Sequence, residues 1–525
     1  MTLGQWLSLA AVAGAATALG CGSSSKEVNN RRLNPGTAGA PDVLQYHKNA
    51  SKDGLYVDPL LTRDAAANTR RDLSFNATLP GQVYAQPLYV QNGPGGASVL
   101  IVATQENAVV AIDASDGSQV WRADLDPPAN RTQLPCGNIT PHEGVTGTPV
   151  IDLDSRTIYV AANTIGDGTV SGNRQKIYAL SLDDGSIVDG WSNVDVLGEI
   201  APPTGQRGAL LLLNGYLYVP YGGKFGDCGT YYGWVMAIPA SDPSTWLGFG
   251  TTARGGGIWA PAGLSSDGTS VYAATGNTFG TMMVWQGGEA VFRLGDGAFF
   301  SGDTADYFAP SDWYTLDVGD ADLGGVAPIQ VSVPDAVPSD LVVAVGKTGF
   351  AYLLDRANLG GIGGELTNTR VANSTVINAP AAFATAAGTF VTATSTGNGI
   401  GCPGAPGNLV VFQIVAGTPP SINIAWCASV PTGSASGRAG PIVTTTDGAS
   451  EAVLWTIAFG SPNRLRAYNA ETGELLYDGT GPDDGMGTVQ KFTTPIEVNG
   501  RIFIAGDDQL YAFTTQAGAS CGSGR

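Results

Sequence analysis

The chain has little charge, and the charge it has is lopsided. Only 14% of its 525 residues are Asp, Glu, Lys or Arg, and 45 acidic residues outnumber 26 basic ones, for a formal net charge of −19. Such a surface repels phosphate backbones, which argues against nucleic-acid binding. Histidine is scarcer still, with His47 and His142 the whole supply. That disfavours a His-rich metal centre and leaves little for a Ser-His-Asp triad. No Cys-x-x-Cys-His segment occurs, so no built-in haem acceptor is expected. The apolar run at 3–20 is short for a membrane-spanning helix.

Glycine, proline and apolar residues are plentiful. Gly 74 and Pro 31 fit many short strands joined by tight turns, and 43% hydrophobic residues are enough for a large core. One pattern recurs: an apolar strand that ends in an Ala-hydrophobic-Asp unit and a Gly turn. It reads AVVAIDASDG at 108–117, KIYALSLDDG at 176–185, WVMAIPASDP at 234–243 and EAVFRLGDG at 289–297. It continues as FAYLLDRANLG at 350–360, NLVVFQIVAG at 408–417, RLRAYNAETG at 464–473 and QLYAFTT at 509–515. Each copy follows two further strand signals, such as TGTPVIDLD at 146–154 and TIYVAANT at 157–164. Adding an outer strand gives four antiparallel strands per repeat. A unit of this kind cannot bury both faces alone, so the copies must stack. The expectation is an all-β, eight-bladed β-propeller. The last copy stops after its third strand, and 72–79 (DLSFNATL) supplies the missing fourth, closing the ring and hiding an edge.

Residues 3–20 end in Ala18-Leu19-Gly20-Cys21 and are followed by Gly22-Ser23-Ser24-Ser25. The small-residue exit reads as an export signal, and Cys21 before Gly and Ser resembles the lipobox of bacterial lipoproteins. The match departs in two places: no Lys or Arg precedes the run, and Ala18 stands where Leu is usual. The expected organisation is a signal and lipobox at 1–21, a linker at 22–45, the propeller at 46–515 and a tail at 516–525. The resemblance implies a lipid on Cys21 and an envelope or extracellular location; an ordinary cleaved signal or an uncleaved anchor stays open. In an oxidising compartment the remaining cysteines should pair. Cys402 and Cys427 flank one hairpin, and Cys136 and Cys228 lie in loops of successive repeats. Cys521 is left over, with a bridge to Cys21 as the alternative to lipidation.

Asp113-Ala-Ser-Asp-Gly-Ser-Gln-Val-Trp121 and Tyr468-Asn-Ala-Glu-Thr-Gly473 resemble the repeat of quinoprotein-type propellers. That superfamily includes the pyrroloquinoline-quinone-dependent alcohol dehydrogenases and the propeller lipoprotein of outer-membrane barrel assembly. VYAQPLYV (83–90), GVTGTPVID (144–152) and KFTTPIEVNG (491–500) are similar to a bacterial quinoprotein-like subgroup. The resemblance to the dehydrogenases would place Trp259 under the quinone, Asn277 on its calcium and Lys347 on the quinone oxygens. Asp227 would be a loose substitute for the calcium carboxylate. Other roles are open to each: a blade-core cap for Trp259, and turns for Asn277 and Lys347. Two parts of the dehydrogenase pattern are not found. The vicinal cysteine pair is reduced to Cys136, and the nearest alignment puts Arg293 where the catalytic Asp should stand, a group that cannot accept a proton at neutral pH. Standard alcohol dehydrogenase chemistry is therefore not expected. Asp317, Asp320 and Asp322 form an acidic loop, either a Ca²⁺ site or a solvated turn, and His142-Glu143 enter the second repeat near the expected central funnel. The function expected is a monomeric envelope module that binds a protein or small ligand on one face of the ring, with a quinone- and Ca²⁺-binding oxidoreductase as the alternative.

Overall fold

In the computed structural model, which describes residues 42–433 and 439–515, each of the eight recurring motifs becomes the third strand of its own antiparallel sheet. Cys21, Cys521 and residues 434–438 lie outside the described residues. The sheets follow one another along the chain as blades 1 to 8, with third strands at 108–113, 174–181, 234–239, 291–294, 350–355, 409–415, 464–469 and 509–514. The Asp of the motif has a local task. Asp113 Oδ1 accepts from Ser115 N at 2.8 Å and Asp184 Oδ1 from Ser186 N at 3.0 Å, so the carboxylate fixes the turn into the fourth strand.

The inner strands are apolar on both sides: 99–103 (VLIVA) and 453–458 (VLWTIA) are buried at every position. A strand alternates apolar and polar only when one of its faces meets water. Here both faces meet neighbouring blades, and the cores show it. Separate apolar clusters join blades 2 with 3, 3 with 4, 4 with 5, 5 with 6 and 6 with 7. The largest cluster runs through blades 7, 8, 1 and 2 and closes the ring.

Closure uses the segment before residue 80, in two short pieces. Arg70 and Arg71 pair with Thr514 and Phe513, and Ala77 and Thr78 pair with Leu510 and Gln509. Arg501 locks the segment down: its guanidinium contacts Asp72 at 2.8 Å and lies 5.2 Å from the Phe75 ring and 4.8 Å from that of Phe503. Both expected disulfides are formed, Cys136–Cys228 and Cys402–Cys427, with Cα separations of 6.0 and 5.6 Å.

The ring also holds a segment that the repeat pattern does not reveal. Residues 42–58 run along its inner strands. Val43 exchanges backbone hydrogen bonds with Tyr89, Leu44 O accepts from Ile151 N, Ala50 O from Ser266 N and Asp53 O from Ala382 N. Leu55–Val57 then add a parallel strand to blade 7 at Val443–Thr445. Tyr46 fills the middle, packed on Ala209, Ala260, Ala262, Ala327 and Ala379 from blades 3 to 6 and bonded to Thr494 of blade 8 at 2.7 Å. The contacts of the ring thus begin at Asp42, ahead of the boundary expected at residue 46.

Candidate functional site

In an antiparallel four-stranded blade, the loop between strands two and three and the connection to the next blade emerge at the same end. That end is the loop face, and all of the proposed site residues lie on it. Trp259 is on the connection from blade 3 to 4, Asn277 on the second-to-third-strand loop of blade 4, and Lys347 on the equivalent loop of blade 5.

These three meet around Asp322. Trp259 Nε1 donates to Asp322 Oδ2 at 3.1 Å, Asn277 N donates to Oδ1 at 2.9 Å, and Lys347 Nζ lies 2.7 Å from Oδ2. Lys347 also pairs with Asp320 at 2.8 Å, and its own backbone N–H donates to Asp322 O at 2.9 Å. The close approach of the two loops requires glycine, since a Cβ on Gly276 would come within 2.8 Å of Asp322 Oδ1. The sequence puts Asp322 in an acidic loop, either a Ca²⁺ site or a solvated turn, and Arg293 at the position of the family's catalytic Asp. The structure sets the two apart. Arg293 sits within the third strand of blade 4, bonded to Asp306 and to Arg356 O, while the long 310–328 connection folds back to bring Asp322 beside Trp259.

The electrostatics follow from burial. Glu289 is fully buried; its Oε2 accepts from Leu323 N at 2.6 Å and its Oε1 has no partner among the described residues. Desolvation, reinforced by the nearby Asp322, holds its carboxyl well above the usual range. Burial raises Asp322 as well, against the pull of Lys347. Burial alone would lower Lys347, but Asp322 and Asp320 outweigh it and the net shift is upward. Asp322 and Lys347 form the ion pair, with the raised Glu289 carboxyl beside it. Asp317 is occupied separately, accepting from Thr278 N at 2.6 Å and from its hydroxyl at 2.8 Å.

The other candidates are elsewhere on the loop face. Asp227 Oδ1 accepts from the Tyr231 hydroxyl. His142 pairs with Glu106 at 2.8 Å, and Glu143 makes a buried ion pair with Lys224. Cys136–Cys228 staples the blade 1-to-2 connection to the second-to-third-strand loop of blade 3. Nearer the axis, Arg207 lies 5.7 Å from both the Trp259 and Phe492 ring centroids. Lys491 lines the same cavity and is pushed down to about 8 by burial and by Arg207.

Comparison with known proteins fits this geometry. Residues 79–233 match the family model described as outer membrane protein assembly factor BamB. The quinohaemoprotein alcohol dehydrogenase ADHIIG of Pseudomonas putida HK5 superposes with a TM-score of 0.60 at 13% identity, over 91% of this chain and 80% of that one. The quinohaemoprotein alcohol dehydrogenase of Comamonas testosteroni gives 0.57 at 16%, over 91% and 81%. A europium-containing methanol dehydrogenase gives 0.58 at 14%, over 91% and 98%. The chain is an eight-bladed β-propeller, part of which resembles a PQQ-like repeat family. No match was found among curated proteins.

At such identities the likeness establishes the fold, and whether this propeller can take the quinone must be asked of its own residues. Two cations already lie over the Trp259 ring, Arg207 at 5.7 Å and Lys347 at 5.4 Å. Lys347 is neutralised by Asp320 and Asp322. As they stand, the indole on which a flat quinone would stack is already taken by these two cations, and the residues do not fit the quinone without their displacement.

Proposed function

We propose that this propeller is a binding module of the cell envelope that takes a protein partner on its loop face, and not a standard quinoprotein alcohol dehydrogenase. The observation that carries the reading is the closed state of the central constellation. Asp322 already holds the Trp259 indole N–H and the Lys347 ammonium, as well as the Asn277 backbone N–H, so two of the three side chains that would grip a cofactor are spent on it. Around them the loop face exposes large apolar side chains. Phe225 is 61% exposed on blade 3, Met282, Met283 and Val284 are 86%, 71% and 63% exposed on blade 4, and Val318 is 72% exposed on the following connection. Apolar groups held out on such loops mark contact surfaces. The match of residues 79–233 to an outer-membrane assembly factor supports an envelope setting, and a lipid on Cys21 would tether the ring there as a monomer.

The test is in-cell crosslinking of the full chain against Met282→Asp/Met283→Asp. The reading expects a specific crosslinked partner that is lost in the variant while the melting temperature is unchanged. A partner retained at full yield by the variant contradicts it. The second reading, a cofactor-binding oxidoreductase, draws on one observation, the convergence of Trp259, Asn277 and Lys347 at a single point. It requires Arg207 and Lys347 to leave the indole.

A further inference from the structure

At three of the seams that carry a glycine after the third strand, a side chain from the outer strand of one blade crosses over and seats on that turn in the next. Between blades 1 and 2, Trp121 lies on Gly185, where a Cβ would come within 2.7 Å of the indole, and Trp121 Nε1 donates to Leu182 O at 2.9 Å. Between blades 6 and 7, Trp426 lies on Gly473 in the same way and donates to Ala470 O at 2.8 Å. Between blades 3 and 4 the seat on Gly297 is taken by Leu247.

The seam between blades 2 and 3 lacks this arrangement. The residue equivalent to Leu182 and Ala470 is Ala240, because the backbone N–H of each of the three donates back to its own blade, to Arg156 O, Ala452 O and Gly215 O respectively. Three residues on, Gly185 and Gly473 are answered by Pro243. No side chain donates to Ala240 O among the described residues, and the inward position on blade 2's outer edge holds the small, half-buried Val188. What remains is a groove of about 450 Å³ lined by Val188, Trp191, Tyr159 and Ala240, with the Arg156–Asp183 ion pair on its rim. Its aromatic wall is rigid: Tyr159 and Trp191 are each 3% exposed, with ring centroids 5.0 Å apart. The volume is within the range of ligand sites.

We propose that this seam is a docking groove for an aromatic side chain, an indole above all, carried by a partner polypeptide, with its N–H donating to the Ala240 carbonyl. The same framework receives a peptide-borne indole at two other seams of this molecule, which is the reason for choosing that occupant over a free small molecule. The choice of a polypeptide ligand rests on the protein-binding reading above; the groove does not.

The test is calorimetric titration of the whole chain with a capped peptide of sequence GSQVWRADLD, copied from residues 117–126 around Trp121. Saturable binding is expected, weakened about tenfold or more when the peptide's Trp is replaced by Ala. Val188→Trp fills the groove, so it should abolish peptide binding and raise the melting temperature. If that variant does not fold, Ser181→Phe, on the groove's half-buried wall, should abolish binding as well. No saturable binding, or equal binding by the Ala peptide or by the filled variant, overturns the proposal. Peptide failure while Met282→Asp/Met283→Asp still loses its crosslinked partner sinks the groove alone. Loss of the partner crosslink with peptide binding intact sinks the loop-face reading alone.

Discussion

Two groups of buried charges occupy this ring, and they are stabilised in opposite ways. On the loop face, Asp322 is met by three donors from three separate segments, one of them the cationic Lys347. Where the axial segment meets blade 8, Asp58 and Glu497 share Gly500 N as a donor, Asp58 also accepts from Leu60 N, and burial and Asp58 hold the Glu497 carboxyl well above the usual range. Lys48 is their nearest cation, and it is itself pulled down by burial. In the first arrangement the carboxylate itself is met by matched donors, with the raised Glu289 carboxyl beside it; in the second the Glu497 carboxyl is pushed towards its protonated form by burial and a neighbouring carboxyl. A buried charge with matched donors can persist as a charge, whereas a like-charge pair neutralises itself.

The largest effect should come from removing the axial segment. A chain beginning at residue 59 loses burial of Val43, Tyr46, Leu55 and Tyr56. At about 1.5–3 kcal/mol per large side chain, this approaches the whole stability of an ordinary domain. Denaturant unfolding should show a chain that no longer folds cooperatively; a midpoint near that of the full chain would mean that the segment only decorates the ring.

Next is Asp322→Ala, which strands Lys347 and the Trp259 N–H. The expected cost is about 3–5 kcal/mol, and Asp322→Ala/Lys347→Met should cost less than the sum of the singles. Additive losses would deny the pairing. Cys136→Ser/Cys228→Ser should follow, at about 2–4 kcal/mol, because the staple closes a long loop. If the loop face is held mainly by the Asp322 network, that variant will still show the Asp322→Ala loss at full size.

The smallest effect separates the two charge groups by pH. Glu497 is raised well above 4.5 by burial and by Asp58. Its folded form therefore binds more protons than the unfolded one. The stability it contributes is complete below pH 4.5 and is lost as pH rises towards the folded value. Glu497→Gln removes this titration, so the variant should gain on the wild type as pH rises, by roughly 1 kcal/mol. Asp322→Asn breaks the ion pair with Lys347 and should stay below the wild type throughout. Parallel pH profiles for wild type and Glu497→Gln would contradict the raised Glu497 carboxyl.

Most of the fold could be read from the sequence because a propeller is local. Each blade repeats within one stretch of chain, so the Ala-hydrophobic-Asp unit predicts a third strand eight times. The closing strand and both disulfides followed from counting strands and cysteines. The site was legible only in part. Trp259, Asn277 and Lys347 were singled out, but Asp322, which joins them, was placed in an acidic loop as either a Ca²⁺ ligand or a solvated turn residue. It arrives by a long connection whose path is set by Gly276 and Glu289, not by any periodicity. The axial segment was missed for a similar reason. Its residues pair with blades scattered along the whole chain, and no short-range pattern records such contacts.

The central claim is that the protein's own groups have closed the cofactor position. It is tested most directly by titrating the purified chain with pyrroloquinoline quinone and Ca²⁺, following heat and quinone absorbance. The account predicts no saturable binding at micromolar concentrations. Micromolar binding that disappears in Trp259→Ala or Lys347→Ala would contradict it.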